Sequence, residues 1–419
     1  MNTCGVMRTP CSTTPAAGPD AAHAFLAGLA VADNGRLYCR YIADNMWQPR
    51  FSITAETARA LVAIEGDRVR IEQQVWSPLV EEEIRHRARL RSTHYSTSIE
   101  GNRLTLAEAA DVISGRNVVF AGRERDVREV DNYWHALLQV EDWAQSGIPV
   151  SEHGIRRLHA IVEYGRRRRP TPYRTAQNVI REGGSGSIIY MPPQQSDVPR
   201  FMRELVDWVA DADGSQLSPS IIAGLAHYQF VTIHPFMDGN GRTARLVATW
   251  LLHRGGYGIY GFYSLEEYHA RDLVGYYGEL ATHAHHNFYE GRENADLTRW
   301  VEYFVKGVAH VFHVAREEAL RYAERGVPPE PEMVRRLDQR ARRVLALFGK
   351  RAEIAAADVR SILPLGDRMV RNLLAQWVDD GLLIVLDSSN RARAYGLSPK
   401  YRQYMKALSV ARPADEAPR

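Results

Sequence analysis

From Ile53 onward the chain repeats one pattern: apolar residues recur three and four positions apart, interrupted by short polar breaks. That is the period of amphipathic helices packed on a common core. The pattern begins in "ITAETARALVAIEGDRVRIEQQ". Thr105 and Glu108 in "TLAE" form a capping box, predicting a helix that starts there and ends near Gly115. Two more helices are predicted over "DVREVDNYWHALLQVEDWA" and "EHGIRRLHAIVEY". Ser218 and Pro219 read as the N-cap and first residue of "PSIIAGLAHYQFVTI". One segment breaks the period. "NVIREGGSGSIIYMPP" places two short β-prone runs around a Gly/Ser turn, the form of a β-hairpin that must lean on the helices for stability. The fold class is therefore all-α with one small hairpin.

After "LTRWVEYFVKGVAHVFHVAREEALRYAE" the Pro-rich "RGVPPEPEM" interrupts the pattern, and a shorter one follows. Helices over "MVRRLDQRARRVLALF", "IAAADVRSIL" and "GDRMVRNLLAQWVDDG" precede a strand pair in "LLIVLDSSNRARAYGLS", the order of a winged helix-turn-helix. Asp367 reads as the N-cap of its third helix, "DSSNR" as the wing turn, and Trp377 as core. The expected organisation is a flexible lead over 1–34, an N-terminal helical region over 35–118, a larger helical domain over 119–325, a linker at 326–333, the winged helix over 334–402 and a tail over 403–419.

Composition narrows the class. With 419 residues, 45% of them hydrophobic, the chain can bury two or three cores. "AAHAFLAGLAVA" is too short and too acidic in its flank for a secretory signal and reads as a structural segment. No run is long enough to span a bilayer, so a soluble protein without a membrane partner is expected. Cys4, Cys11 and Cys39 are an odd, sparse set that suits a reducing cytosol rather than a disulfide scaffold. The formal charge of +3 is unevenly placed: Val334 to Arg402 holds 14 Lys/Arg against 7 Asp/Glu, which leaves the remainder at −4. The C-terminal part could thus attract nucleic acid through Arg368, Arg371, Arg391 and Arg393, or act as a protein-interaction module. "RRRR", Arg166 to Arg169, reads as a solvated loop before Pro170, and "HAHH", His283 to His286, lacks nearby acidic or cysteine partners for a metal.

The densest chemistry is "HPFMDGNGRTAR", His234 to Arg245. An apolar helix runs up to Ile233, a loop follows, and helical spacing resumes in "RTARLVATWLLHR". Gly239 and Gly241 let the backbone approach a ligand closely, and the new helix presents unpaired N–H groups suited to phosphate. Arg242 and Arg245 can share a face and meet further phosphate oxygens. Asp238 fits a Mg²⁺ held with phosphate oxygens and water, and His234 supplies a base that ordinarily titrates near neutrality. Phe236 is expected to anchor the loop in the core.

This stretch matches H-x-F-x-[DE]-G-N-G-R-x-x-R at every specified position and so resembles the signature of the Fic family. The resemblance implies a protein adenylyltransferase, which transfers AMP from ATP to a Ser, Thr or Tyr hydroxyl of a target protein and releases pyrophosphate. His234 would then be the catalytic base and Asp238 the Mg²⁺ ligand. The nucleotide would be bound over Asp238, Gly239, Asn240, Gly241, Arg242, Thr243, Ala244 and Arg245, with Tyr276 or Tyr277 at the adenine, core packing being the other explanation of the tyrosines. "STSIEGN", Ser96 to Asn102, resembles the family's inhibitory motif, with Ser96, Glu100 and Gly101 in its specified places. It implies that Glu100 pairs with Arg245 and displaces the γ-phosphate. "YRTAQNVIREGGSGSIIYMPP" resembles the family's flap, which would align a target segment by main-chain pairing. Homodimerisation is a further expectation. Two readings stay open beside this one: a transcriptional regulator whose domain senses ATP, and removal of AMP by the same site.

Overall fold

The computed structural model describes residues 29–32, 36–39, 47–74, 76–116, 120–166, 169–181, 186–323, 330–349, 351–387, 389 and 393–410. Two compact units divide at residues 44 and 45. In the first, β1 (Leu29–Ala32) pairs antiparallel with β2 (Arg36–Cys39), so the end of the expected lead, and Cys39 after it, lie in strands. The rest of that lead, with Cys4 and Cys11, falls outside the described residues.

The second unit is helical. Its chief elements are α1 (Ala55–Glu72), α2 (Pro78–Ile99), α3 (Leu106–Ile113), α4 (Glu124–Gln145), α5 (Glu152–Tyr164), α6 (Val198–Asp213), α7 (Pro219–Ile233), α8 (Asn240–Leu252), α9 (Leu265–Arg271), α10 (Leu273–Leu280) and α11 (Thr298–Ala323). The capping box of Thr105 and Glu108 starts α3, and Gly115 ends it at a left-handed φ of 70°. Ser218 and Pro219 open α7, although the Ser218 hydroxyl meets Ser220 and Tyr257 rather than the helix amides. All but two of the residues of α7 are fully buried, as expected of the central helix. α7 and α8 pack side by side, with Trp250, Phe230 and Trp300 in the core around them.

The hairpin is present as β3 (Ile180–Arg181) and β4 (Ile188–Tyr190), with Ile180 opposite Tyr190; the tip at 182–185 lies outside the described residues. It leans on the helices as anticipated: Tyr190 Oη donates to the Thr232 carbonyl at 2.7 Å, and the Met191 amide donates to the His286 carbonyl at 2.7 Å. The "HAHH" segment therefore supports the hairpin.

A separate core, built on Val344, Leu374, Trp377 and Leu397, organises the C-terminal segment. It contains α12 (Glu332–Arg335), α13 (Gln339–Leu347), β5 (Ile354–Ala355), α14 (Ala356–Ile362), α15 (Asp367–Asp379), β6 (Leu383–Asp387), β7 (Ala394–Leu397) and α16 (Pro399–Val410). Three details differ from the sequence reading. The first expected helix splits, because the Asp338 carboxylate caps a new start by accepting from the Arg340 and Ala341 amides. A third strand, β5, joins β7 and β6 in the order β5-β7-β6. Gly366, not Asp367, is the cap of α15; Asp367 lies in its first turn and pairs with Arg360 at 3.0 Å. The wing tip, with Arg391, lies outside the described residues, whereas Arg368, Arg371 and Arg393 are exposed.

Candidate active site

α7 ends abruptly because His234 adopts left-handed backbone angles, φ 51° and ψ 59°. A non-glycine residue there is uncommon and needs surrounding support. Arg174 supplies it: nearly fully buried, it donates from Nε to the His234 carbonyl at 3.0 Å, from its amide to the Pro235 carbonyl at 2.9 Å, and from its guanidinium to the Pro193 carbonyl. One arginine thus joins the signature loop to the base of the hairpin.

The loop is held from below by Phe236, 1% exposed and stacked on His159 with ring centres 3.7 Å apart, the core anchor expected of it. Asn240 closes the loop on itself. Its carboxamide oxygen accepts from the Phe236 amide and its nitrogen donates to the Phe236 carbonyl, both at 2.9 Å, while Asn178 donates to that carbonyl at 2.9 Å. The Asn240 side chain is therefore engaged in shaping the loop. Thr243 and Ala244 are fully buried on α8.

The ring of His234 is poised by its surroundings. Nδ1 lies 3.3 Å from the Val231 carbonyl, which can only accept, so the proton sits on Nδ1 and Nε2 keeps its lone pair. Desolvation pulls its pKa down to about 4, and the imidazole is neutral at physiological pH.

α8 starts at Gly239, with φ 71° and no side-chain cap, so the amides of its first turn are left for another acceptor. A Cβ at Gly239 would collide with Glu163, and one at Gly241 with Glu100 Oε1. The Glu100 carboxylate thus rests against the first turn of α8. It accepts from Arg245 at 2.8 Å, and Arg245, 3% exposed, also donates from Nε to Ser96 Oγ and from its terminal nitrogen to the Ser96 carbonyl, each at 2.8 Å. Arg245 meets Ser96 and Glu100, 149 and 145 residues before it in the chain, as the motif resemblance implies. Gly101, with φ 89°, turns the chain away directly after Glu100.

Arg242 is placed differently from Arg245. Its guanidinium, 3% exposed, lies 2.9 Å from Glu163, 3.7 Å from Glu129 and 3.8 Å from Asp238. Asp238 itself is open, 66% exposed, with Oδ1 accepting from the Gly239 amide at 2.7 Å. Tyr276 is core: 1% exposed, its hydroxyl 3.0 Å from His227 Nε2. Tyr277 is half exposed, and Glu100 and Arg245 both act on it electrostatically. Among the described residues no three His, Cys, Asp or Glu side chains gather as a ready metal cage.

Sequence reasoning missed Arg174, His159, Glu163 and Glu129. Arg174 and Asn178 lay within the quoted hairpin segment, but nothing in their spacing points to partners at residues 234 and 236.

Residues 149–252 match the model of the Fic/DOC family. Proteins named protein adenylyltransferase Fic from Drosophila willistoni and Drosophila melanogaster are each 32% identical to this chain over 171 residues, covering 39% of it and 32% of their own length. The chain spans about a third of the length of the curated relatives it matches. A Fic family protein from Desulfovibrio desulfuricans G20 superposes with a TM-score of 0.53 at 23% identity, covering 84% of this chain and 99% of that one. Fic-1 from C. elegans gives 0.51 at 21% identity, covering 65% and 74%. These two likenesses concern the fold, which is helical with small antiparallel strand pairs. The match to the Fic/DOC family is thus carried by residues 149–252.

Proposed function

We propose that this protein is an adenylyltransferase that moves AMP from ATP onto a hydroxyl side chain of a target protein, with release of pyrophosphate. The observation that carries the reading is the arrangement around the start of α8: an uncapped helix N-terminus, a neutral histidine with its Nε2 lone pair available, and a solvent-open carboxylate. Nε2 of His234 takes the proton of the target hydroxyl as its oxygen attacks the α-phosphorus. The bond to the β-phosphate oxygen breaks, and pyrophosphate leaves. The amides of the first turn of α8 receive the phosphate charge, which is where positioning and charge neutralisation act in such transfers. Asn240 contributes by fixing the loop through Phe236.

Asp238 suits Mg²⁺, which binds through one or two carboxylates together with substrate oxygens and water, and the ion would neutralise phosphate charge. Tyr277 and the exposed Ile188, Ile189 and Met191 of the hairpin support a route for adenine and target along this face. Exposed Arg368, Arg371 and Arg393 favour contact of the winged helix with DNA or an acidic partner, and the protein's expected setting is the cytosol.

Glu100 is the brake in this reading. Its carboxylate rests where the outer phosphates of ATP need Arg245 and the helix amides, so nucleotide and Glu100 compete for the same positive charge. The test uses α-labelled ATP with Mg²⁺ and cell lysate. Glu100→Gly incorporates label into protein well above the unmodified chain, and Glu100→Gly with His234→Ala incorporates none. Equal labelling in all three overturns the assignment.

A further inference from the structure

A cavity of about 450 Å³ lies away from the signature loop, where the C-terminal segment meets α2 and α4. Its wall includes Arg85 and Arg89 of α2, Glu141 of α4, His253 beyond α8, and Arg343 of α13. Such a volume holds a small molecule.

The charges lining it are unevenly matched. Arg85 pairs with Glu81 and, at 2.9 Å, with Glu82. Arg89 pairs with Glu82 at 3.1 Å and with Glu141 at 2.6 Å. Arg343 differs: it is 4% exposed, yet among the described residues no carboxylate lies within 4.0 Å of it. One terminal nitrogen donates to the Ile362 carbonyl, and its Nε has no partner among the described residues. Burial, together with the neighbouring Arg89, pulls its pKa down to about 10 against the opposing pull of the more distant Glu82 and Glu141.

A guanidinium without a carboxylate in contact is costly to bury, and one that lines an open polar cavity is matched best by a ligand with planar or tetrahedral oxygens. We propose that this cavity binds a small oxyanion, a phosphate or carboxylate ligand, on Arg343, with Arg89 and His253 beside it. The site is separate from the nucleotide cradle and bridges the helical domain and the winged helix.

The test is titration calorimetry on the full chain at low ionic strength, with inorganic phosphate and citrate as probes. At least one probe binds saturably; the tighter of the two tells whether the natural ligand is a phosphate or a carboxylate. Arg343→Met weakens that binding at least tenfold, while Arg245→Met, which alters the cradle, leaves it unchanged. The exposed Arg368→Gln serves as a charge control and also leaves it unchanged. Should Arg343→Met melt lower than the unmodified chain, Arg343→Lys keeps the charge without the planar fork and still weakens binding severalfold. Absence of saturable binding of both probes, binding indifferent to Arg343, or binding lost in Arg245→Met overturns the proposal.

Discussion

The signature loop and the hairpin are joined through Arg174 and are built in opposite ways. The loop is over-determined: Phe236 is locked on His159, Asn240 binds both backbone groups of Phe236, and Arg174 holds two successive carbonyls. Among the described residues the hairpin has two paired positions, with Ile188 and Ile189 left exposed. In the proposed reaction proton transfer and charge stabilisation tolerate little misplacement, and the groups assigned to them sit on the over-determined element. Recognition of an extended segment needs an unpaired strand edge, which a short hairpin supplies without a deep pocket.

That contrast can be broken at several points. The largest effect is expected from removing the base: His234→Ala in the Glu100→Gly background lowers the initial rate of label transfer by about 10²–10⁴-fold, the usual span for a general base. A loss below tenfold would mean that the loop only positions ATP. Releasing the brake comes next. Glu100→Gly alone raises the rate by about tenfold or more, the size of a coupling of roughly 1–3 kcal/mol between two sites; Glu100→Gln gives an intermediate rise, since it keeps a hydrogen-bond acceptor for Arg245 and loses the charge.

Asn240→Ala leaves two buried backbone groups of Phe236 without this partner and costs about 1–3 kcal/mol of folding stability, seen in a denaturant midpoint. If the loop were loose, the midpoint would not move. On the hairpin, Ile188→Pro disturbs the pairing with Arg181 and lowers labelling of target protein severalfold, while ATP binding measured by nucleotide fluorescence stays within twofold. Equal losses of both would show that the hairpin shapes the cradle as well.

The smallest change is with pH. An ordinary histidine loses half its base form at its unperturbed pKa of about 6.5, but His234 stays neutral down to about 4. Labelling by Glu100→Gly should therefore change less than about twofold between pH 7.5 and 5.5. Stability follows the opposite limb. His159, His227 and His234 all have depressed pKa values, so below pH 6.5 the unfolded chain binds more protons than the folded one. The melting temperature falls as acid is added through that window, and a flat curve would contradict the burial of these rings.

How much of this was readable in advance depends on where partners lie along the chain. The loop was legible because its chemistry is contiguous from His234 to Arg245, and α3 and α5 were legible because cap and period agree locally. The meeting of Glu100 with Arg245 was reached only through a motif resemblance, since no periodicity relates residues 145 positions apart. Arg174, Glu163 and the cavity at Arg343 were not legible at all: their roles come from contacts between elements that only folding brings together. The split at Asp338 and the cap at Gly366 show the other limit, where a neighbouring residue supplies a cap as well as the one with the stronger propensity.

α2 has one more consequence. Its far end from Glu100 is fastened to the C-terminal segment: Glu81, 2% exposed, pairs with Arg342 at 3.1 Å, and Leu79 packs on the core of that segment near Gly349. Arg340 reaches back to Asp142 at 2.9 Å and Ser146 at 2.7 Å. The proline-rich break marks a change of composition, yet cutting the chain there would strip Glu81 of one of its two cations and uncover Leu79. A truncated chain lacking the C-terminal segment would therefore report first on the integrity of its own scaffold, and only afterwards on what the missing segment does.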